Sequence, residues 1–134
     1  MDDGGKITEQ ALEELVSRFY ERVREDEMLG PVFNDAIKNW PEHLDRLVAF
    51  WSSMMLTTGR YKGNPLAAHL KHSTRISPEL FQRWLALWAI TTAEVMKPDA
   101  AAALQAKASR IAESFQLALF FKLDPKPKPG RAAT

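Results

Sequence analysis

Apolar residues recur at three- and four-residue spacing along most of the chain, and proline, glycine or short polar side chains close each run. The first run is Leu12, Leu15, Val16, Phe19, Tyr20 and Val23, with charged residues on the opposite face. This spacing predicts an amphipathic helix, and Thr8 ahead of it is a natural cap. Tyr20 falls on or beside the buried stripe. Leu29-Gly30-Pro31 interrupts the pattern, Val32-Phe33 returns to the core from the turn, and a loop through Asn34 to Asn39 leads to Trp40-Pro41-Glu42. Pro41 suits the first turn of a second helix. Leu44, Leu47, Val48, Trp51, Met54 and Met55 mark one face of that helix, and His43 lies near the edge of the face, close to the helix start.

After a turn at Thr57-Thr58-Gly59-Arg60, a second glycine-containing turn meets Asn64-Pro65. A cap followed by a proline at the first helical position presents His69 about one turn into a short helix. Ser77-Pro78-Glu79 is the same start signal with an acid in the first turn. The helix it opens carries Leu80, Phe81, Trp84, Leu85, Leu87, Trp88 and Val95. Apolar over more than half its circumference, it is expected at the centre of the fold. Lys97-Pro98 ends it. Asp99 is the expected cap of a last long helix, whose buried line is Leu104, Ile111, Phe115, Ala118 and Leu119. The spacing is helical throughout, so the prediction is an all-α domain of five or six helices over 8–123. Residues 1–7 read as a loose arm. In 124–134 proline alternates with lysine, which predicts an extended, disordered tail.

Composition narrows the chemistry. The chain has 134 residues, a size for one domain with a real core, and 46% apolar with 26% charged residues is the balance of a soluble globular protein. A net charge of +1 carries no nucleic-acid signature. The start of the chain is acidic with no apolar run behind it, and no stretch reaches the ~20 apolar residues of a membrane span, so the expected location is the cytoplasm. Without cysteine there is no disulfide, thiolate catalysis or covalent C-x-x-C-H haem attachment, and metal ligands are limited to His, carboxylate, Tyr and Met. G-x-S-x-G, P-loop and H-E-x-x-H motifs are absent. His69 and His72 are three residues apart, yet no carboxylate stands at matching helical spacing to complete a non-haem site.

A haem pocket suits these residues better. It needs one imidazole, a flat apolar slot and a few polar groups on the open face. His69 would supply the imidazole. Phe33, Leu47, Phe50, Trp51 and parts of the Trp84 helix would wall the slot, with Tyr20, His43 and Trp84 as the polar groups. Each has a structural alternative: Tyr20 as a core tyrosine, His43 as a surface histidine, the aromatics as core.

Phe19-Tyr20-Glu21-Arg22-Val23-Arg24, Leu29-Gly30-Pro31-Val32-Phe33, His43 followed by Phe50-Trp51, Tyr61-x-Gly63-x-Pro65-x-x-x-His69, and Trp84-Leu85 stand in a specific order and spacing. In that set the chain resembles the group III truncated haemoglobins from about residue 8 to residue 121. The resemblance implies a shortened globin fold, a two-over-two helical sandwich around non-covalent haem b. It implies His69 as the iron ligand, Tyr20 and His43 as distal residues, and Trp84 as an indole facing the ligand. Phe33 corresponds to a phenylalanine packed on the haem, and Phe19, Leu47, Phe50 and Trp51 to pocket-lining positions. Arg46 is the best-placed cation for the haem propionates, followed by Tyr61, His72 and Arg75. The activities implied are binding of O2, NO, CO or peroxide, with oxidation of NO or reduction of peroxide supported by an unidentified reductase, in a monomer or weak dimer. The alternatives are a haem-based gas sensor signalling through a separate protein and a haem-free helical interaction module.

Overall fold

The computed structural model describes residues 7–70 and 75–120. Six helices are present among them: α1 (Glu9–Glu25), α2 (Gly30–Ala36), α3 (Trp40–Leu56), α4 (Pro65–Leu70), α5 (Pro78–Val95) and α6 (Pro98–Phe120). Four starts carry side-chain caps, at Thr8, Asn64 and Ser77 as the sequence signals and also at Asn39. Side-chain oxygens of Thr8, Asn39, Asn64 and Ser77 accept backbone N–H groups of Ala11, Glu42, Ala67 and Leu80 at 3.0, 3.1, 3.1 and 3.3 Å. Each bond satisfies one of the amides that a helix start leaves without an internal partner. The expected tail, most of the expected arm and His72 lie outside the described residues.

Two elements depart from the sequence pattern. The stretch expected as a turn and loop after Leu29 folds as helix α2. Asp26 accounts for it: its Oδ2 accepts the N–H groups of Met28 and Leu29, both at 3.0 Å, while Asn34 Nδ2 donates to the Arg24 carbonyl at 3.1 Å. The second departure is at α6, which begins at Pro98, so Asp99 lies inside the first turn and is not its cap. Proline has no N–H to lose at that position, so it opens a helix as readily as it closes one.

α1 crosses both α3 and α5, α6 packs on α5, and α2 folds back onto α1. The pairs α1/α3 and α5/α6 therefore form two layers. Leu12, Leu15, Val16, Phe19 and Val23 of α1 are completely buried between them, with Trp51, Trp88 and Leu104. Polar ties fix the crossing. Arg22 donates to Thr91 Oγ1 at 3.0 Å and to Glu94 at 2.6 Å, and Arg83 holds Asp26 Oδ1 through Nε at 2.8 Å and Nη2 at 2.7 Å. Where α2 meets the end of α1 only glycine fits: a Cβ on Gly30 would stand 2.6 Å from the Arg24 carbonyl oxygen.

The core has two parts. The main one joins α1, α3, α5 and the first half of α6, and a smaller one gathers Phe81, Ala112 and Leu119 with Ile76, Leu85, Phe115 and Phe120. Phe33, Leu44, Leu47, Phe50, Trp84, Leu85, Ile111 and Phe115 are only half-buried despite facing inward from four helices. No described helix is long and apolar enough to cross a membrane.

Candidate functional site

The consecutive aromatics of α1 anchor one side. Phe19 is fully buried and meets Tyr20, Trp84 and Trp88 edge-on at centroid distances of 4.7, 5.1 and 4.8 Å. Tyr20, 4% exposed, lies 5.9 Å from Phe33, 6.1 Å from Trp40 and 6.3 Å from His43, whose ring is perpendicular to it. Trp84 Nε1 donates to the Tyr20 hydroxyl at 3.4 Å. With the oxygen acting as acceptor, the phenolic O–H is oriented to donate elsewhere. Burial pushes the Tyr20 phenol far above its usual titration range, only partly opposed by the Trp84 N–H, so it stays neutral. His43 is pushed the other way, first by burial and then by the Arg46 charge, which favours the uncharged ring.

His69 comes from α4. Its Nδ1 lies 2.7 Å from the Pro65 carbonyl one turn earlier. A carbonyl accepts only, so the ring proton belongs on Nδ1 and Nε2 is the basic nitrogen. That tautomer and a carbonyl-fixed ring are what an imidazole would need in order to bind a metal through Nε2. Phe115 of α6 packs against the ring at 4.8 Å.

The donor set suits haem. Among the described residues no three His, Cys, Asp or Glu side chains come together to hold a metal by themselves. A metal held by His69 would need further ligands from outside that set, and a porphyrin is one group that would supply them. The half-buried apolar side chains are the second sign, since a flat apolar group set against them would complete their burial.

The sequence-predicted residues divide into three groups. Phe19, Tyr20, Phe33, His43 and Trp84 converge as one cluster. Leu47 is half-buried on α3, and Phe50 follows it there and meets Trp51 edge-on at 5.4 Å, while Trp51 itself is 2% exposed and packs inward on Trp88. The expected propionate partners are dispersed. Arg46 is exposed and paired with Glu42 at 3.0 Å, and Arg75 is paired with Asp35. Tyr61 rests edge-on against Phe50 at 5.3 Å, its N–H bonded to Ser53 Oγ at 2.9 Å. Sequence reasoning missed Trp40, which touches both Tyr20 and His43 and carries the Arg24 guanidinium 4.6 Å above its ring. Its spacing, three residues before His43 at a helix start, was the available signal. An open cavity of about 720 Å³ borders Tyr20 and Trp40 together with Arg24, Asn34 and Leu44.

Two helix pairs packed through α1 and α5, with an oriented imidazole on α4 and a tyrosine-tryptophan cluster where α1 meets α5, are the arrangement of a globin of the two-over-two kind. The model of the bacterial-like globin family matches residues 4–117. The group 3 truncated hemoglobin ctb of Campylobacter jejuni is 35% identical over 118 residues, spanning 85% of this chain and 92% of that protein. The crystal structure of a group III truncated hemoglobin from Campylobacter jejuni matches with a TM-score of 0.78 at 34% identity, covering 86% of this chain and 93% of the other. This chain belongs to the bacterial-like globins and, among them, to the group III truncated haemoglobins. Binding of haem and of small gaseous ligands comes with that membership.

Proposed function

We propose that the 8–123 domain holds haem b non-covalently through His69 Nε2 and binds O2, NO, CO or peroxide on the side of Tyr20, Trp84 and His43. Its work is oxidation of NO or reduction of peroxide, supported by a reductase in the cytoplasm, and not bulk oxygen transport. The observation that carries this reading is the neutral Tyr20 phenol, buried and braced by the Trp84 N–H. Haem, when bound, would supply the redox-active iron. Every other part is the protein's. Pro65 fixes the tautomer of His69. Phe33, Leu47 and Phe50 exclude water from the slot, with Phe19 and Trp51 packed behind as support. Tyr20 donates a hydrogen bond to charge developing on the ligand, which slows its release and favours turnover over delivery. His43, half-buried beside Trp40, would open and close the entrance. Arg46, Arg75, Tyr61 and His72 are the candidates for the propionates, Arg46 and Arg75 by exchanging a carboxylate partner for a propionate.

The test is the visible spectrum of the haem-loaded chain in ferric, reduced and CO-bound states, beside His69→Ala. A Soret band that shifts on reduction and again with CO, and is lost or altered in the variant, is expected. Failure to take up stoichiometric haem would falsify the reading and favour a helical interaction module.

A further inference from the structure

Three of the four tryptophans stack through the middle of the fold. Trp84 and Trp88, one turn apart on α5, have ring centroids 5.5 Å apart and planes 10° from parallel. Trp51 of α3 stacks on Trp88 at 4.7 Å and 21°. The file continues edge-on from Trp51 to Phe50 at 5.4 Å and from Phe50 to Tyr61 at 5.3 Å. One end is the Trp84 indole, bonded to Tyr20. The other is Tyr61, partly exposed between α3 and α4. The middle is dry, with Trp51 and Trp88 2% and 1% exposed.

Edge-to-face and offset contacts are common ways to pack aromatic rings. Two successive near-parallel overlaps, however, join the π systems of the side chains that give up an electron most readily in a chain without cysteine. Trp88 Nε1 donates to the Leu104 carbonyl at 3.1 Å. That acceptor stabilises the indole as a cation, when its N–H becomes more acidic. Tyr20 is a poor terminus, because oxidising a phenol releases its proton and this hydroxyl is enclosed. Tyr61 is a better one, with solvent to take the proton. Its side chain is also built into place: it lies over Gly63, where a Cβ would meet the Tyr61 hydroxyl at 2.5 Å.

We infer that the Trp84–Trp88–Trp51–Phe50–Tyr61 file is a one-electron route between the pocket and the surface, and that Tyr61 is where a small phenol-class reductant returns the electron. The inference rests on the haem and peroxide reading above. A hydroperoxide accepts two electrons and two protons; its O–O bond breaks, giving an alcohol, or water from H2O2, and one water. Trp84 gives one of the two electrons and the haem, when bound, would give the other, which a second phenol restores by the same route; both protons come from solvent. An electron then moves from Trp88 to Trp84, from Trp51 to Trp88, and from Tyr61 across Phe50 to Trp51. Tyr61 loses its phenolic proton to solvent and becomes a neutral radical, which the external phenol quenches by giving up a hydrogen atom.

The chain has only two tyrosines, Tyr20 and Tyr61, so the radical is assignable. The haem-loaded full chain, grown with ring-deuterated tyrosine, is mixed with H2O2, frozen within milliseconds and read by EPR, with the Soret response followed in parallel. A deuterium-narrowed tyrosyl signal that is lost in Tyr61→Phe is expected, as is its loss in Trp88→Phe with the Soret response retained. A radical confined to Tyr20, or a Tyr61 signal undiminished in a folded Trp88→Phe, overturns the route while leaving the haem and peroxide reading intact. No Soret response to peroxide removes both. If Trp88→Phe does not fold, mass mapping of a spin-trap adduct in the unsubstituted chain decides: an adduct at Tyr61 supports the route, and adducts only at Tyr20 or Trp84 refute it.

Discussion

Replacing Tyr20 by Phe removes one oxygen and keeps the shape of the pocket. The ring contacts with Phe19 at 4.7 Å and Phe33 at 5.9 Å survive, so a packing loss is not part of the effect. Two hydrogen-bonding consequences remain. Trp84 Nε1 loses its acceptor, but that bond is 3.4 Å long against a usual ~2.9–3.0 Å, so its loss costs no more than about 1 kcal/mol. The larger effect is on the ligand. A hydrogen bond to a charged acceptor contributes about 1.5–3 kcal/mol, and each ~1.4 kcal/mol is a factor of ten, so oxygen should leave the variant about 10- to 150-fold faster. Stopped-flow displacement of oxygen by excess CO from the reduced protein measures the rate directly. CO release is the control, because bound CO carries little charge and should change far less. Oxygen release from Tyr20→Phe no faster than from the unsubstituted protein would refute the role given to the Tyr20 hydroxyl. Combining the substitution with Trp84→Phe should give less than the sum of the two effects, since the residues share one bond.

Two other consequences concern the frame of the site. Arg83 is the main cause that holds the Asp26 carboxyl below the usual carboxylate range, with the Leu29 and Met28 amides adding to it and burial opposing. A depressed folded value stabilises the protein above the unfolded carboxyl pKa of about 4, and that stability is lost as pH falls further. Urea melts should show Asp26→Asn about 1–2 kcal/mol less stable at pH 7, a figure reduced for the half-exposed Arg83, with the gap closing below about pH 4. Parallel curves at pH 3 and pH 7 would remove this account. Gly30→Ala drives a Cβ to 2.6 Å from the Arg24 carbonyl, and the resulting strain should cost about 1–3 kcal/mol and lower the melting temperature. An unchanged melt would mean that α2 can shift away from α1 freely.

The helices were legible in the order of residues because their causes are local. A cap bond reaches three residues, as from Thr8 to Ala11, and the apolar stripe of α1 repeats every three or four. The imidazole of His69 was legible too, since the Asn64-Pro65 start that presents it and the carbonyl that orients it lie within five residues. Helix α2 was not, because it depends on the Asp26 carboxylate meeting the amides of Met28 and Leu29, geometry that composition at the turn does not reveal. Tertiary structure alone decided which side chains meet across helices. Tyr20 and Trp84 are 64 residues apart in sequence, yet share a hydrogen bond because α1 crosses α5 where Phe19 and Trp88 pack. The same crossing turned Trp51 inward to stack on Trp88 and placed Trp40 against His43. A periodic pattern states which face of a helix is buried; only the angle and height at which two helices cross determine what that face is buried against.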